Sequence, residues 1–345
     1  MPLTGKPHLQ SRGMHQVNTT PSIDEPSIEP HEPHWVSRAA FQVIVIAFAL
    51  AEVALAVTLF HGLVWLAVPL VLIASHFMHG LLIGFHEAVH GMLRQNRRFN
   101  EIDGTLLGLF SLMSFSLYRS AHQTHHAYLA SERDEELWPF VQPGTPRWVR
   151  ILAAILELTI GLLFTPFLFI RAFLRSGSPI RNKKVRRRIW AELALMVIVW
   201  TGILSAVAYW QMWQYFLWMY LAPAILAADL QSWRKYIEHV GLVGNTVNSS
   251  TRNIVAPSRL GQLLSFSLLH EPYHGVHHLH AGLPHAELPQ RVSELQPKGP
   301  EERIPYRSYR HASLDMLRSL ADPRVGAQWR NGSHPVDAPP APSTR

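Results

Sequence analysis

The segment GLVWLAVPLVLIASHFMHGLLIGF, which occupies residues 62–85, decides the fold of this chain. It contains no Asp, Glu, Lys or Arg, and it is longer than the ~20 apolar residues that a helix needs to cross the hydrocarbon core of a bilayer. We therefore predict a membrane-spanning helix here. The segment continues directly into HEAVH, residues 86–90, so this helix carries a pair of imidazoles to the membrane boundary.

Three further segments are apolar enough to span a membrane. Their only charged residues are Glu52 and Glu192. The connections between neighbouring segments, His61 and Trp210–Gln211, are very short, so the segments pair as two helical hairpins. We predict an all-α integral membrane protein with four transmembrane helices and a cytoplasmic His-rich helical cap. The three further segments are Ala39–Phe60, Ile189–Tyr209 and Met212–Ala228.

Two shorter apolar stretches, Val149–Leu174 and Gly104–Leu117, do not fit as crossings. From Arg171 to Arg188 the chain has eight basic residues and no acidic one. Basic loops favour the cytoplasmic side of a membrane and face its anionic headgroups, so this run indicates lipid rather than nucleic acid. A crossing by Val149–Leu174 would separate the basic loop from the His clusters described below. We therefore predict two interfacial or re-entrant helices, with both chain termini in the cytoplasm.

Composition sets the domain boundaries and the available metal ligands. Residues 1–34 contain six Pro and little apolar periodicity, so we expect a disordered N-terminal tail. We expect a membrane domain at 35–290, a cytoplasmic C-terminal segment at 291–324 and a second disordered tail at 325–345. The chain has 21 His and no Cys, so nitrogen or oxygen atoms must hold any metal, and thiolate sites are excluded.

Three His clusters carry the chemistry: HEAVH at 86–90, HQTHH at 122–126 and HGVHH at 274–278. Residues three or four apart share one face of a helix, so each cluster presents two or three imidazoles to one point. Neutral imidazole suits iron, zinc, copper and nickel. The eight imidazoles exceed the needs of a single ion, so two metals are implied. His239, which follows the last apolar segment, is positioned to supply a ninth ligand.

The pattern H-x-x-x-H, H-x-x-H-H, H-x-x-H-H, with paired spans between the second and third boxes, resembles the membrane fatty acid desaturase family over about residues 39–290. The resemblance implies two iron ions, held almost wholly by His, that activate O2 and abstract hydrogen from an unactivated C–H bond. We assign no catalytic residue beyond this metal centre. Some relatives have Asn four residues before the ninth His, where this chain has Lys235. The ligands that the resemblance implies are His86, His90, His122, His125, His126, His239, His274, His277 and His278.

Acidic side chains beside the boxes can orient ligating imidazoles by accepting their second N–H. The candidates, in order of preference, are Glu87, Glu238, Asp134 and Glu271. For Glu87 an ordinary helix-capping or surface role is an equal alternative. The other His residues of these regions are expected to be structural or to support the ligands, and they are His76, His79, His270, His280 and His285.

The resemblance implies a fatty acyl desaturase that introduces a C=C bond with O2 as co-substrate. Two alternatives use the same scaffold: a carotenoid or lipid hydroxylase or ketolase, and an oxidative fatty acid decarboxylase. A metal transporter is a third, although transporters usually hold their ligands near the bilayer midplane. No flavin or nicotinamide fingerprint is present, so a separate electron donor of the ferredoxin, rubredoxin or cytochrome b5 type is implied, and the basic loop would dock it. We expect a bacterial inner membrane, with the endoplasmic reticulum as the alternative.

Overall fold

The structure, a computed structural model, describes residues 38–330. Regular secondary structure in this range is helical, and the β-type pairing found there is an isolated bridge between Ile254 and Tyr306. The all-α prediction is therefore confirmed for the described residues. The predicted N-terminal tail, residues 1–34, lies outside them.

Helices α1 (Ala40–Phe60) and α2 (Val64–His90) form the first hairpin. Gly62 in the connection has a φ of +69°, a conformation in which a side chain would be strained. The hairpin leaves large apolar side chains exposed, among them Leu50, which is 65% exposed, and Leu72, which is 59% exposed. Exposed apolar surface of this kind promotes aggregation in water, whereas it is stable against the hydrocarbon core of a bilayer.

Helices α3 (Arg97–Phe110) and α4 (Phe115–Ala127) meet at a tight turn, so the single re-entrant helix that we predict over Gly104–Leu117 is wrong. Ser114 begins α4 by accepting a hydrogen bond from a backbone N–H of the first turn at 3.2 Å. Leu112 in the turn has a φ of +58°, which an α-helix does not contain. A local cap therefore interrupts the apolar run.

The apolar stretch Val149–Leu174 is likewise divided, into α5 (Arg147–Thr159) and α6 (Gly161–Leu174). The helix breaks at Ile160, whose ψ of 37° lies outside the helical region. The next N–H in the chain donates to the Asp229 carboxylate at 3.2 Å. Neither helix is long enough to cross a membrane by length and composition, which agrees with an interfacial or re-entrant position.

Helix α7 (Lys183–Tyr209) begins the second hairpin, and only two of its described residues are buried. The chain returns as α8 (Trp213–Phe216), a π-helical turn (Leu217–Leu221) and α9 (Ala222–His239). The residues at both junctions have α-helical dihedral angles, so the three pieces continue as one helical segment.

Within residues 38–330, three helices, α1, α2 and α7, are long and apolar enough to cross a membrane, judged by length and composition. The fourth predicted span, Met212–Ala228, is not among them. A π-helical turn lies within that apolar stretch without ending the helical segment, and α9, its longest α-helical piece, ends in the polar sequence QSWRKYIEH, residues 231–239. The four-span topology with its cytoplasmic cap stays a prediction.

The C-terminal part of the described chain packs against α9. Ala312, Met316 and Val325 share one buried core with Tyr236 and Ile237. Val325 is fully buried, so the boundary that we predict for the second disordered tail is too early, and residues 331–345 lie outside the described range. The remaining elements are α10 (Val247–Ser250), α11 (Arg259–Ser267), α12 (His274–Leu279), α13 (Tyr309–Leu317) and the 3-10 helices His285–Leu295 and Ala327–Trp329.

Candidate metal centre

Four segments of the chain bring the His clusters together. His86 and His90 lie at the end of α2, which stops at Gly91 with a φ of +82°. The second cluster lies on α4, the third lies on α12, and His239 is the last residue of α9. All nine imidazoles that the sequence predicts as ligands meet at this junction.

Five of these imidazoles converge on one point. The His122 Nε2 atom lies 2.8 Å from His86 Nε2 and 3.0 Å from His90 Nε2. The His126 Nε2 atom lies 3.1 Å from both His122 Nε2 and His277 Nε2. One ligand atom from each of the five residues lies within 4.8 Å of all the others. We refer to these residues as the five-His group.

The other four imidazoles form a second group. The His274 Nε2 atom lies 2.9 Å from His239 Nε2 and 3.1 Å from His278 Nε2. His125 joins them, since its ligand atom lies within 4.8 Å of those of His239 and His278. The Glu238 carboxylate lies within the same distance of His239 and His274, so it could add an oxygen ligand. We refer to the four His residues as the four-His group.

Hydrogen bonds on the far side of the rings fix which nitrogen faces inward. The Nδ1 atoms of His122 and His125 each donate to a carboxylate at 2.8 Å, and that of His274 does so at 3.0 Å. The His239 Nδ1 atom donates to the Ser250 carbonyl oxygen at 3.0 Å. Each of these rings, when neutral, therefore carries its proton on Nδ1 and turns the lone pair of Nε2 towards its group.

This donor set fits metal ions. Lone pairs that face each other at such distances repel, and the repulsion disappears when one cation binds both nitrogens. Two imidazole nitrogens bound to one metal at about 2.1 Å and at right angles are about 3.0 Å apart. The measured separations of 2.8–3.1 Å match that value. Nitrogen donors suit iron, zinc and copper, so the site is suited to a metal of this class.

Burial favours the neutral imidazole, which is the form that binds a metal. It lowers the pKa of His274 to about 4 and that of His277 to about 3. In His125 burial acts in the same direction, but the carboxylates of Asp134 and Glu136 outweigh it and raise the pKa. A bound cation would oppose protonation of every ring that it holds.

Two carboxylates that follow the second His cluster hold its rings. Asp134, one of the predicted candidates, accepts from His125 Nδ1. Glu136, which is not among the predicted candidates, accepts from His122 Nδ1. The acidic run at residues 134–136, which begins eight residues after the box ends at His126, is the signal that could have identified it.

Glu271 contacts one ring of each group. Its Oε1 atom accepts from His274 Nδ1 at 3.0 Å and from Arg234 Nη1 at 2.9 Å, and its Oε2 atom lies 3.5 Å from His86 Nδ1. Burial alone would raise the pKa of Glu271, but the Arg234 guanidinium and the neighbouring imidazoles hold it well below its usual range. Arg234 also donates to Glu238 at 2.6 Å, so one buried guanidinium ties together two carboxylates beside the metal centre.

The predicted order of the acidic candidates is wrong for Glu87. Within the described residues, Glu87 makes no hydrogen bond to any of the nine imidazoles, and its carboxylate accepts from the His285 backbone N–H at 3.3 Å. It is only 1% exposed, so the alternative of a surface role is also wrong. Glu238, the second candidate, lies 3.6 Å from His274 Nε2.

The remaining His residues near the boxes stay outside both groups. His76 Nε2 shares a hydrogen bond with Ser267 Oγ at 2.8 Å. His270 Nδ1 pairs with Ser265 Oγ at 3.1 Å, and His280 is bound to a carboxylate of the 3-10 helix that follows it. These contacts agree with the structural roles expected from the sequence.

A cavity lies beside the two groups of imidazoles, between α2, α6 and α9. Most of its wall is apolar, as at Met78, Leu162 and Ala224. Tyr118 and Glu136 also line it, and Tyr118 lies against the five-His group, with its ring centroid 5.3 Å from that of His122. A further part of the wall is polar and consists of Glu157, Thr165, Gln231, Ser232 and Lys235.

The basic run has two parts. Arg171 and Arg175 bind Glu135, and Arg188 binds acidic residues of α3 and α7, so these arginines serve packing. The other part is exposed and lies around the start of α7, and it consists of Arg181, Lys183, Lys184 and Arg187.

Comparison with known proteins places these features in context. A family model described as "Fatty acid desaturase" matches residues 63–310, a range that includes all nine imidazoles. The fatty acid desaturase of Bacillus subtilis (strain 168) is 23% identical over 235 residues, which cover 65% of this chain and 66% of that protein.

Proposed function

The chain belongs to the fatty acid desaturase family, and from this premise we propose that it is an O2-dependent, di-iron, membrane-bound oxidoreductase that desaturates fatty acyl chains. The reaction removes one hydrogen from each of two neighbouring carbons and forms a C=C bond. Together with two electrons and two protons from outside, these hydrogens reduce O2 to two molecules of water. The observation that carries the proposal is the convergence of nine imidazoles into two groups beside a largely apolar cavity.

In this proposal the five-His group holds one iron ion and the four-His group holds the other. Bound iron would supply the oxidising power that breaking a strong alkyl C–H bond demands, which no side chain can supply alone. The protein fixes each ring through its second nitrogen. The carboxylates of Asp134, Glu136 and Glu271 accept those N–H groups and keep the Nε2 lone pairs directed inward.

The cavity would bind the acyl chain and exclude water from it. Its largely apolar wall suits a hydrocarbon chain. Since Tyr118 and Glu136 belong both to the cavity wall and to the surroundings of His122, a chain in the cavity would pass beside the five-His group. This position brings C–H bonds to the metal centre.

Electrons would come from a separate carrier of the ferredoxin, rubredoxin or cytochrome b5 type. The exposed cations around the start of α7 would attract an acidic carrier and speed its docking. A basic loop also favours the cytoplasmic face, so we propose that the metal centre faces the cytoplasm of a bacterial cell.

The topology that goes with this function has four spans, with a membrane domain at 35–290 and a cytoplasmic C-terminal segment at 291–324. The apolar stretch Met212–Ala228 would be the fourth span. A reporter protein fused near residue 180 is expected to read as cytoplasmic. An extracellular reading would contradict the topology and leave the metal groups untouched.

The function is tested by expression in a host of known lipid content, followed by mass spectrometry of its lipids. We expect new monounsaturated acyl chains in the host that carries the wild-type chain and none with His125→Ala. A hydroxylated or ketonic product alone would refute desaturation and identify the hydroxylase or ketolase reaction on the same scaffold. Shortened alkenes would identify oxidative decarboxylation. A purified protein that holds zinc and leaves every lipid unchanged would favour the transporter.

A further inference from the structure

The polar part of the cavity wall carries an ion pair. Lys235 Nζ contacts the Glu157 carboxylate, and both residues line the cavity. Glu157 also accepts from Tyr236 Oη at 3.1 Å and from Thr165 Oγ1 at 3.4 Å. The Lys235 side chain is 12% exposed and that of Glu157 is 1% exposed, so the pair is removed from bulk water.

The break between α5 and α6 places this pair. Gly161 packs so closely on α9 that a Cβ atom there would lie 2.8 Å from Ser232 Oγ and 3.2 Å from the Ala228 carbonyl oxygen. The close approach brings Glu157, four residues before the glycine, to Lys235 on α9. Lys235 itself precedes His239 of the four-His group by one helical turn.

Lys235 has N–H donors that its contact with Glu157 does not use. An ammonium group has three N–H donors, and a single contact with Glu157 engages one of them. Glu157 in turn has three donors around its two oxygens. The unused hydrogen-bonding capacity of this pair is therefore of the donor type. A plain hydrocarbon chain cannot accept these hydrogen bonds, so it would leave buried N–H groups without a partner.

We propose that Lys235 donates a hydrogen bond to an oxygen atom of the lipid that occupies the cavity. The substrate would then be an apolar chain with an acceptor oxygen, either its terminal carboxylate or a hydroxyl or carbonyl on the chain, held about one helical turn from His239. Lys235 is in this account a specificity-determining residue. The inference rests on the proposed function only in taking the cavity as the substrate site.

The test is a binding measurement that needs no turnover. Purified iron-loaded protein in detergent, without reductant, is titrated with a fluorescent polyunsaturated fatty acid methyl ester, which is then displaced by four kinds of competitor. These are methyl octadecanoate, methyl esters of hydroxyoctadecanoic acids, methyl esters of oxo-octadecanoic acids, and free octadecanoic acid. A charge-assisted hydrogen bond predicts that at least one oxygen-bearing competitor binds about tenfold or more tightly than methyl octadecanoate.

The four kinds of competitor distinguish where on the lipid the acceptor oxygen lies. Preference for the free acid alone would assign the contact to a carboxylate, and preference for hydroxyl or oxo esters would assign it to an oxygen on the chain. Equal binding of all competitors by the wild-type protein would overturn the proposal, and this comparison depends on no variant.

The neutral double variant Lys235→Met with Glu157→Gln removes the charges together, so that neither is left unpaired. It is expected to abolish the tenfold preference and to retain binding of methyl octadecanoate. The matched control, Arg150→Met with Asp322→Asn, removes another ion pair of α5 away from the cavity and should retain the preference. An unchanged preference in the first double variant, or an equal loss for every competitor, would show that the pair only ties α5 to α9.

Failure here differs from failure of the proposed function. Oxidation of unsubstituted acyl chains without any oxygen preference would sink this inference and keep the desaturase reaction. A clear preference for oxygen-bearing competitors in a protein that oxidises no lipid would support this inference and contradict the desaturase reaction.

Discussion

The substitution Glu271→Gln tests how the two groups of imidazoles are held. Gln keeps the volume of the side chain and removes its charge. Glu271 accepts from His274 Nδ1 at 3.0 Å and lies 3.5 Å from His86 Nδ1, so the substitution weakens the support of one ring in each group. It also takes one of two carboxylates from the buried Arg234, which keeps Glu238.

The magnitude follows from these contacts. Loss of a partner that orients a metal-binding imidazole lowers metal affinity by about 10- to 100-fold. The direct hydrogen bond is to the four-His group, so that group should lose iron first, and the five-His group should be affected less because its contact is longer. The charged hydrogen bonds that are lost should also lower the free energy of unfolding by about 1–3 kcal/mol.

The assay is iron content by mass spectrometry, followed by the rate at which a chelator removes the iron from purified protein in detergent. The control is Glu87→Gln, because Glu87 is as deeply buried and lies next to His86 but accepts from the His285 backbone. We expect faster iron loss in Glu271→Gln and near wild-type behaviour in the control. Equal retention in both variants, or greater loss from Glu87→Gln, would refute the assignment of Glu271.

Three further predictions use other contacts. Asp134→Asn weakens the acceptor of His125 Nδ1, so iron affinity should fall about 10- to 100-fold, measured by chelator competition. Gly161→Ala places a methyl group 2.8 Å from Ser232 Oγ and against the α9 backbone, so the thermal midpoint should fall by several degrees. Burial lowers the pKa of His270 to about 4, whereas in the unfolded chain this imidazole has a pKa near 6.5. The free energy of unfolding should therefore decrease as the pH falls from about 6.5 towards 4. This residue alone should contribute a loss of up to about 3 kcal/mol.

Each of these has a matched control. For Asp134→Asn the control is Glu135→Gln, because Glu135 binds arginines rather than an imidazole ring. This variant should bind iron with near wild-type affinity. Gly144→Ala adds a methyl group into open space and should leave the midpoint unchanged. His270→Phe should flatten the acid slope of the unfolding free energy, and an unchanged slope would show that other groups cause it.

Local patterns made much of the site predictable. Spacings of three and four residues put His86 with His90, and His122 with His126, on one helix face whatever the rest of the fold does. The structure brings these rings and the remaining predicted ligands into two groups. His239 could be named because it follows a long apolar segment at the same boundary.

Contacts between distant segments were not predictable in the same way. Arg234 and Glu271 meet across 37 positions of the chain, and nothing in the local spacing of either reports that meeting. Glu87 lies inside the first box, yet a helix turns neighbouring side chains in different directions, and Glu87 binds the backbone at His285 instead of an imidazole.

The fold predictions that are wrong have similar causes. Over Gly104–Leu117 the apolar composition suggested one helix, but the Ser114 cap starts a new one. The end of the chain is polar in composition, but Val325 is buried in a core that includes Tyr236 and Ile237, more than 80 residues earlier in the sequence. A hydropathy average over many residues does not register the effect of single residues such as Ser114 and Val325.

The metal content of the purified protein tests the central claim most directly. Protein from iron-supplemented cells should contain two iron ions per chain by elemental analysis, and His125→Ala and His122→Ala should each lose iron while remaining folded. The account would be contradicted if fully folded wild-type protein contained one zinc ion per chain, or no metal.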